Sequence, residues 1–430
     1  MPTAITDLLS AARAFAKTRW LAKRLRTRAD VERYQAARIR DMLRDAVSHS
    51  AFYRGTSASA LEELPVMDKR TLLANFPQLN AGGITVDQVQ ATLRAGGDRI
   101  GNYVVGQSTG TSGNRGYYVI SNRERFVWLG TLLAKALPDA LWRRHRVALA
   151  LPGLSSLYQS AASGSRIQLG FFDLARGVDA WAHALVAFAP DTIVAPPKVL
   201  RHLAERGMLH AQTIFSGAEV LDRLDRRIIE GATGRRVREI YMATEGLFGV
   251  ACSHGTLHLA EDVVHFGWEQ PSAQRPLLSP LVTDFTRKVQ VMARYRMNDL
   301  LELSHTPCVC GSPFQAVARI DGRQDDIFLL AAADGGQRMV TPDVLRNAVV
   351  DADRRILDFR IVQTGPAHVR VSLDATLAPE VDGAVGASIQ RLCDGLGLAG
   401  VEVAIARGIT ADNAVKLRRV RREWRPPLQS

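Results

Sequence analysis

The stretch from about residue 100 to residue 300 alternates short apolar runs with segments of helical periodicity. The clearest candidates for buried strands are residues 147–151, 192–195, 212–215 and 239–242. Strands that alternate with helices usually pair in parallel through crossover connections, so this pattern predicts an α/β fold with mixed, largely parallel sheets. In such sheets ligands bind beyond the carboxyl ends of the strands, and the segments after these runs are therefore the first candidates for a site.

A second group of elements follows residue 322. The chain has 430 residues, which exceeds the usual size of one domain. Further apolar runs, with helical stretches between them, lie at 327–330, 359–362, 369–373 and 401–406. We therefore expect a large N-terminal α/β domain over residues 1–322 and a small C-terminal α+β domain over residues 323–430.

Composition excludes several classes of protein. Hydrophobic residues make up 47% and charged residues 23%, which is typical of globular proteins and unlike disordered or fibrous chains. No apolar run is long enough for a membrane-spanning helix, and the N-terminus lacks the apolar segment of a secretory signal. Four cysteines are too few for a disulfide framework in this length, which favours a reducing, cytoplasmic location.

The chain is basic, with 55 Lys+Arg against 43 Asp+Glu and a net charge of +12. The densest basic runs lie at 19–28, within predicted N-terminal helices, and at 416–425. This surplus favours polyanionic partners. We expect the N-terminal helices to pack on the main domain, with weak contact to a membrane surface as the alternative. A nucleic-acid-binding protein needs aromatic residues among the basic ones, and only Trp20 and Trp424 fit, so no nucleic acid is expected.

The most informative motif is the glycine-rich segment 106–116. Its glycines allow positive φ and close backbone approach, and its hydroxyls can donate hydrogen bonds, so it suits a polyphosphate. The residues that would contact it are Ser108, Thr109, Gly110, Thr111, Ser112 and Gly113. A Walker loop is excluded because no Lys-Ser/Thr pair follows the last glycine. The strand-like flanks also argue against the G-x-S-x-G nucleophile elbow, which joins a strand to a helix.

Four more polar segments follow in order, at 216–219, 241–246, 294–299 and 321–326. The segment 294–299 is expected to end a strand with the carboxylate of Asp299. With the glycine-rich loop the four segments resemble the adenylate-forming superfamily of acyl-CoA synthetases, peptide-synthetase adenylation domains and luciferases. Residues 241–246 resemble its Tyr-x-x-Thr-Glu motif, 294–299 its Tyr-Arg-x-x-Asp motif and 322–326 its hinge. The short length and the Cys308-Val-Cys-Gly311 element resemble the phenylacetate–CoA ligase branch.

This resemblance implies a two-step ligase that uses ATP and Mg²⁺. A carboxylate attacks the α-phosphate of ATP to give an acyl-adenylate and pyrophosphate, and a thiol then displaces AMP. The thiol is that of coenzyme A or of the phosphopantetheine arm of an acidic acyl carrier protein. Two alternatives are a catalytically degenerate homologue that only binds nucleotide and the basic nucleic-acid-binding protein considered above.

The resemblance also implies roles for individual residues. The loop residues named above would hold the β- and γ-phosphates, Thr244 would face the α-phosphate, and Glu245 would hold Mg²⁺. The adenosine end would contact Gly217, Ala218, Glu219, Tyr241, Asp299 and Arg323. Asp325 would lie at the hinge of the mobile C-terminal domain, and Lys416 would be its catalytic lysine. Val415 stands where the family usually has a glycine before that lysine.

Aromatic residues near these motifs suggest the acid. Their character favours an aryl acid over a long acyl chain, and the candidate walls of the pocket are Tyr158, Phe171, Phe172, Tyr241 and Phe248.

Three cysteines and a histidine suggest a metal. Thiolates and an imidazole complete a tetrahedral zinc shell, and a closed shell of four protein ligands is structural. The related branch resembles this chain in having such a site, so we expect zinc at Cys252, His258, Cys308 and Cys310, with His254 as the alternative histidine. Cys393 lies in an apolar helical pattern and is expected in the core.

Overall fold

The computed structural model describes residues 2–47, 50–56, 58–108, 115–151, 166–271, 276–409 and 418–426. Three of its helices, α2, α5 and α6 below, begin with a capping box, in which the N-cap side chain and the third helical residue exchange hydrogen bonds with the backbone. The helices among these residues are α1 (Pro2–Arg24), α2 (Arg28–Met42), α3 (Lys69–Ala74), α4 (Phe76–Leu79), α5 (Val86–Arg94), α6 (Asn122–Ala136), α7 (Ala182–Phe188), α8 (Pro197–Glu205), α9 (Arg223–Thr233), α10 (Pro342–Val350) and α11 (Glu380–Gly395).

The strands fall into two groups, on either side of residue 322. In the first group are β1 (Arg99–Ile100), β2 (Tyr103–Gln107), β3 (Tyr117–Ser121), β4 (His145–Leu151), β5 (Ile167–Asp173), β6 (Thr192–Ala195), β7 (Thr213–Ser216), β8 (Val237–Ala243), β9 (Gly246–Ala251), β10 (Leu257–Leu259), β11 (Val264–Glu269), β12 (Leu277–Asp284), β13 (Tyr295–Arg296), β14 (Asp299–Leu303) and β15 (Ala316–Arg323). In the second are β16 (Phe328–Ala331), β17 (Gln337–Val340), β18 (Phe359–Gly365), β19 (His368–Leu373), β20 (Glu402–Arg407) and β21 (Val420–Arg422).

A large mixed sheet organises the first group. Its order is β11-β12-β14-β15-β10-β9-β8-β7-β6-β4-β5, with β13 paired to β12. The half from β8 to β5 is parallel, and the half from β9 to β11 is antiparallel. The four strands predicted in this region are β4, β6, β7 and β8, so the α/β class is confirmed. In the parallel half, α7, α8 and α9 connect β5 to β6, β6 to β7 and β7 to β8.

The N-terminal helices pack on this part of the molecule. Helix α1 lies against α6 so closely that a Cβ at Gly130 would fall 2.1 Å from the carbonyl oxygen of Ala11. Gln35 of α2 is buried, and its amide donates to the carbonyl oxygens of Glu261 and Val264. The two helices with the basic outer side, α1 and α2, are therefore packed against the rest of the protein. No helix among the described residues is both long and apolar enough to cross a membrane.

The elements after residue 322 build their own α+β layer, as expected. Strands β20-β19-β18-β21 form one sheet, β16 and β17 form a second, and α10 and α11 cover them. One apolar cluster, drawn from residues 328–420, fills this layer and includes the buried Cys393. We call the described residues up to 322 the large unit and those from 323 onward the C-terminal unit. The domain boundary at 322 stays a prediction.

Candidate functional site

The glycine-rich loop joins two antiparallel strands, β2 and β3. At its base the Ser108 N–H donates to the carbonyl oxygen of Gly116 at 2.7 Å, and the Gly116 N–H donates to Ser108 Oγ at 2.7 Å. The other expected contacts, Thr109, Gly110, Thr111, Ser112 and Gly113, lie outside the described residues. A hairpin between two strands cannot form a nucleophile elbow, so that alternative is excluded.

Thr244 and Glu245 lie at the tip of the hairpin between β8 and β9. Arg287 Nη2 donates to the carbonyl oxygen of Thr244 at 2.6 Å, which fixes the tip. The Tyr295 hydroxyl donates to Glu245 Oε1 at 3.3 Å. Burial, followed by the neighbouring Glu245 carboxylate, raises the pKa of Tyr295, so this phenol stays a hydrogen-bond donor.

A small cavity that is open to solvent joins this tip to the base of the loop. A Cβ at Gly116 would lie 3.8 Å from Glu245 Oε1 and 3.9 Å from Lys69 Cε, so the loop base, the carboxylate and the lysine converge. The cavity is lined by Lys69, Leu72, Gly116, Tyr117, Tyr118, Thr244, Glu245, Arg287, Gln290, Met292 and Tyr295. It therefore combines a carboxylate with two cationic side chains and the end of a glycine-rich loop.

The sequence analysis missed Lys69 and Arg287 as site residues. Lys69 belongs to the N-terminal region and reaches the cavity because Met67 pairs with Tyr295 on β13. The Met67 N–H donates to the Arg294 carbonyl oxygen at 3.0 Å, and the Arg296 N–H donates to the Met67 carbonyl oxygen at 2.7 Å. Burial lowers the pKa of the half-buried Lys69, and the Glu245 carboxylate opposes that shift. No local motif marks either residue, because only long-range pairing brings them here.

Tyr241 links this cavity to Asp299. Its hydroxyl donates to Asp299 Oδ2 at 2.8 Å, and Arg323 lies opposite Asp299 on the neighbouring strand. Burial and the Asp299 carboxylate raise the pKa of Tyr241 well above its ordinary value. The expectation that Asp299 ends a strand is wrong, because it begins β14. The Asp299 carboxylate instead lies at the start of β14, where this strand pairs with β15, next to the turn that follows β15.

That turn contains Asp325. Its Oδ2 accepts from Asn298 Nδ2 at 2.7 Å, and its N–H donates to Asn298 Oδ1 at 3.2 Å. The expected hinge residue is thus bound to the residue that precedes Asp299.

The segment 217–219 follows β7, as expected for a ligand contact at the carboxyl edge. The Gly217 N–H donates to the carbonyl oxygen of Ala195 at 3.1 Å, and Ala218 has a left-handed backbone with φ of 68°. Such a conformation is costly for a residue with a side chain and is found preferentially at functional positions. Glu219 is nearly buried and forms an ion pair with Lys198 at 3.6 Å.

The aromatic residues proposed as pocket walls are not gathered in one place. Phe248 is fully buried, and its ring centroid lies 5.2 Å from that of Tyr241. Phe172 packs on Trp181 in a different apolar cluster, and Phe171 packs against a third. None of these phenylalanines lines the cavity described above. Tyr158 lies outside the described residues, and the preference for an aryl acid stays a prediction.

The cysteine and histidine side chains converge as predicted. The ligand atoms of Cys252, His258, Cys308 and Cys310 all lie within 4.8 Å of one another. The Cys252 and Cys308 sulfurs are 3.8 Å apart, and Cys310 Sγ lies 3.2 Å from His258 Nε2. Tetrahedral bonds of about 2.3 Å from zinc to sulfur require sulfurs about 3.8 Å apart, so the donor set fits the ion.

The surroundings of the cluster also suit a metal. His258 Nδ1 lies 3.1 Å from the carbonyl oxygen of Phe314, which orients Nε2 toward the cysteines, as is usual for metal-bound histidines. Burial opposes ionisation of Cys308, but hydrogen bonds from Thr256, the Cys310 N–H and His258 lower the pKa of its thiol to about 6. His254, the alternative ligand, is not part of the cluster.

Lys416 lies outside the described residues, but the basic run that follows it does not. Residues 420–422 form β21, which pairs in parallel with β18. Arg418 forms an ion pair with Asp326, and Arg419 is buried among carboxylates. The described part of this run is therefore part of the folded C-terminal unit.

No family profile matches the chain, and no curated protein is similar to it in sequence. Solved structures do match. One is 2-hydroxyisobutyryl-CoA ligase in the postadenylation state with 2-HIB-AMP, at 18% identity over 90% of this chain and 89% of that chain, with a TM-score of 0.64. The same ligase in the thioesterification state with 2-HIB-AMP and CoA gives 20% identity, coverages of 91% and 90%, and a TM-score of 0.54.

The GH3.15 acyl acid amido synthetase matches at 13% identity over 90% of this chain and 89% of that chain, with a TM-score of 0.58. The TM-scores and coverages establish a shared fold. The chain therefore has the fold of the adenylate-forming ligases, which confirms that part of the resemblance seen in the sequence. No more particular identity follows from a likeness at this level.

Proposed function

We propose that this protein is an ATP-dependent ligase that activates a carboxylic acid as its acyl-adenylate and passes the acyl group to a thiol. The observation that carries the proposal is the cavity in which the base of the glycine-rich loop, Glu245 and Lys69 meet. A polyphosphate needs backbone donors, cations and a carboxylate for its metal ion, and these are the groups that converge there.

The first half-reaction is a displacement at phosphorus. A carboxylate oxygen of the acid forms a bond to the α-phosphorus of ATP, and the bond from that phosphorus to the bridging oxygen breaks, so pyrophosphate leaves with the electron pair. Catalysis of this kind depends on positioning and charge neutralisation rather than on a protein nucleophile. The donors for the phosphates are Lys69 and the loop from Ser108 to Gly113, and Thr244 faces the α-phosphate.

The magnesium ion that accompanies ATP neutralises phosphate charge, and Glu245 is the residue that would hold it. Tyr295 donates to the same carboxylate and so holds it toward the cavity. Asp299, held by Tyr241, accepts from the ribose hydroxyls with Arg323 beside it. Residues Gly217, Ala218 and Glu219 border the adenine. Lys416 supplies the catalytic ammonium from the C-terminal unit, and Asp325 is the hinge.

The second half-reaction transfers the acyl group. The thiolate adds to the acyl carbon of the adenylate, and AMP leaves. Coenzyme A is supported as the acceptor because one matching ligase was solved with CoA. The net charge of +12 equally suits an acidic carrier protein as the acceptor. The acid is a small carboxylic acid, and an aryl acid of the benzoate or phenylacetate type is the first to test.

We further propose that Cys252, His258, Cys308 and Cys310 hold a structural zinc ion. Four protein donors close the shell, so no position is left open for a substrate or an activated water. Zinc here would fasten the turn between β9 and β10 to the loop between β14 and β15, both of which belong to the large unit.

The decisive experiment is pyrophosphate release from ATP and Mg²⁺ with a panel of carboxylic acids. We expect release that depends on one class of acid. The product is then offered CoA, a phosphopantetheinylated carrier protein and, because an amido synthetase shares the fold, amino acids. If protein that binds ATP released no pyrophosphate with any acid of the panel, that result would instead indicate the degenerate homologue.

Two controls sharpen this experiment. Lys416→Ala should collapse adenylation while leaving ATP binding largely intact, and normal adenylation would remove Lys416 from its proposed role. Tight DNA binding that weakens steeply with salt, in protein that does not bind ATP, would favour the nucleic-acid alternative.

A further inference from the structure

Arg419 bridges the two units. It is 9% exposed, it immediately precedes β21, and carboxylates from both units surround it. Its Nη1 donates to Asp222 and, at 2.6 Å, to Asp225 Oδ2, and its Nη2 donates to Asp225 Oδ1 at 3.1 Å. Its Nε donates to Asp358 Oδ1 at 3.0 Å. Asp222 and Asp225 begin α9 in the large unit, whereas Asp358 precedes β18 in the C-terminal unit.

The rest of the described junction is also polar. None of the apolar clusters formed by the described residues includes side chains from both units. Arg201 of α8 donates to the carbonyl oxygen of Leu357 at 2.6 Å and also pairs with Asp225. Polar interfaces between domains can open because water replaces their hydrogen bonds, whereas a shared apolar core cannot.

The burial of the two aspartates determines what must happen when this contact opens. Asp225 is fully buried and Asp222 is 6% exposed, so both carboxylates need a cation or water. The guanidinium satisfies them with several donors at fixed angles, which an ammonium group cannot do. When Arg419 withdraws, Asp225 keeps its ion pair with Arg201, but water must enter to hydrate Asp222 and the oxygen of Asp225 that Arg419 leaves.

We propose that Arg419 is a latch between the units, which fixes the position of the C-terminal unit by holding it against α9. Lys416 stands three residues before Arg419 in the sequence, and the Arg419 carbonyl oxygen accepts from the Ile361 N–H of β18 at 2.7 Å. Arg419 is thus a positioning residue. The latch itself follows from the contacts, and its effect on catalysis rests on the proposed function.

The latch is tested without any assay of activity, by hydrogen–deuterium exchange of the full chain. Arg419→Met keeps the length of the side chain and removes its charge. We expect amides in 222–230 and 356–363 to exchange about tenfold faster or more, because a buried ionic contact is lost. The matched control is Arg355→Met, since Arg355 is paired with Asp353 and Glu380 inside the C-terminal unit. Unchanged exchange in Arg419→Met would overturn the latch.

Asp225→Asn provides a second variant if Arg419→Met does not fold. It leaves Arg419 its contacts with Asp222 and Asp358, and we expect a smaller acceleration of exchange in the same two regions. Arg419→Lys should lie between the wild type and Arg419→Met. Equal exchange in Arg419→Lys and the wild type would show that a single charge suffices and would overturn the role assigned to the guanidinium fork.

The positioning role is tested by comparing the half-reactions. In Arg419→Met the rate of ATP–pyrophosphate exchange should change relative to the rate of acyl transfer by about threefold or more, while Arg355→Met keeps the wild-type ratio. Faster deuterium exchange with an unchanged ratio would overturn the effect of the latch on catalysis and keep the latch itself. Absence of ATP–pyrophosphate exchange in the wild type would contradict the proposed function, and the deuterium measurement would still decide the latch.

Discussion

The Cys/His cluster and the cavity beside Glu245 are both polar sites of the large unit, but they are built differently. In the cluster, four donor atoms lie within 4.8 Å of one another and all face inward. In the cavity, Lys69, Glu245 and Arg287 line a space that is open to solvent. A closed set of donor atoms stabilises a fold by binding a metal ion, whereas separated charged groups around an open space are arranged to bind a ligand of complementary charge.

This difference leads to opposite expectations for substitutions. A change in the cavity should reduce ligand binding or turnover and leave the melting temperature nearly unchanged. A change in the cluster should reduce metal content and the melting temperature together and alter turnover only through folding. The variants below test that contrast, beginning with the largest expected effect.

Glu245→Gln should have the largest effect on the reaction. The amide keeps the shape of the side chain and removes the charge that holds the metal ion of ATP, so we expect adenylation to fall about 10²- to 10³-fold. Pyrophosphate release measures this loss. Glu32→Gln is the control, because Glu32 is exposed on α2 and does not line the cavity. A normal rate in Glu245→Gln would contradict the role of this carboxylate.

Lys69→Met should weaken MgATP binding by about 10- to 100-fold, the usual contribution of a hydrogen bond to a charged group. Isothermal titration calorimetry measures the Kd. The exposed Lys288 gives a matched control, since Lys288→Met removes the same charge without opening on the cavity. Wild-type affinity in Lys69→Met would mean that the lysine does not touch the phosphates.

Cys308→Ser should abolish binding of about one equivalent of zinc and lower the melting temperature by about 5 °C or more, because metal binding contributes directly to folding. Metal analysis and thermal unfolding check the two effects. Cys393→Ala changes a cysteine buried in the C-terminal unit and should keep the metal. If metal content and melting temperature both stay unchanged in Cys308→Ser, the zinc proposal fails.

Tyr241→Phe should have the smallest effect. It removes one hydrogen bond to Asp299 and nothing else, so the KM for ATP should rise about fivefold, in keeping with a net value of about 1 kcal/mol for such a bond. Tyr34→Phe removes a comparable bond to the carbonyl oxygen of Asp262 and should leave the KM unchanged. If the KM for ATP were the same in both variants, the proposed contact between Asp299 and the nucleotide would be wrong.

The parts of the molecule that local sequence predicts are those with local causes. The parallel strands were visible because buried strands read as apolar runs, and the loop after β2 was visible because glycines and hydroxyls are rarely so dense. The Cys/His cluster was visible because cysteine is scarce in this chain. Only the structure shows that His258 rather than His254 lies in the cluster, because both follow Cys252 within a few residues.

What the sequence could not predict depends on distant pairing. Lys69 enters the cavity through backbone bonds between Met67 and the strand of Tyr295, and nothing near Lys69 signals that partner. The start of β14 at Asp299 was likewise missed, because the strand is defined by its pairing with β12 and β15 rather than by its own residues. The buried partners of Arg419 could not be foreseen for the same reason, since they lie on α9.

The pairing of Met67 with Tyr295 also governs the order in which the molecule can be completed. During synthesis, the segment that ends at Lys69 emerges long before its partner strand, and it must wait until nearly the whole large unit has been translated. Contacts of such wide separation form late in folding. Chains terminated before residue 295 would therefore lack the strand that pairs with Met67, a residue whose side chain is only 1% exposed in the finished fold.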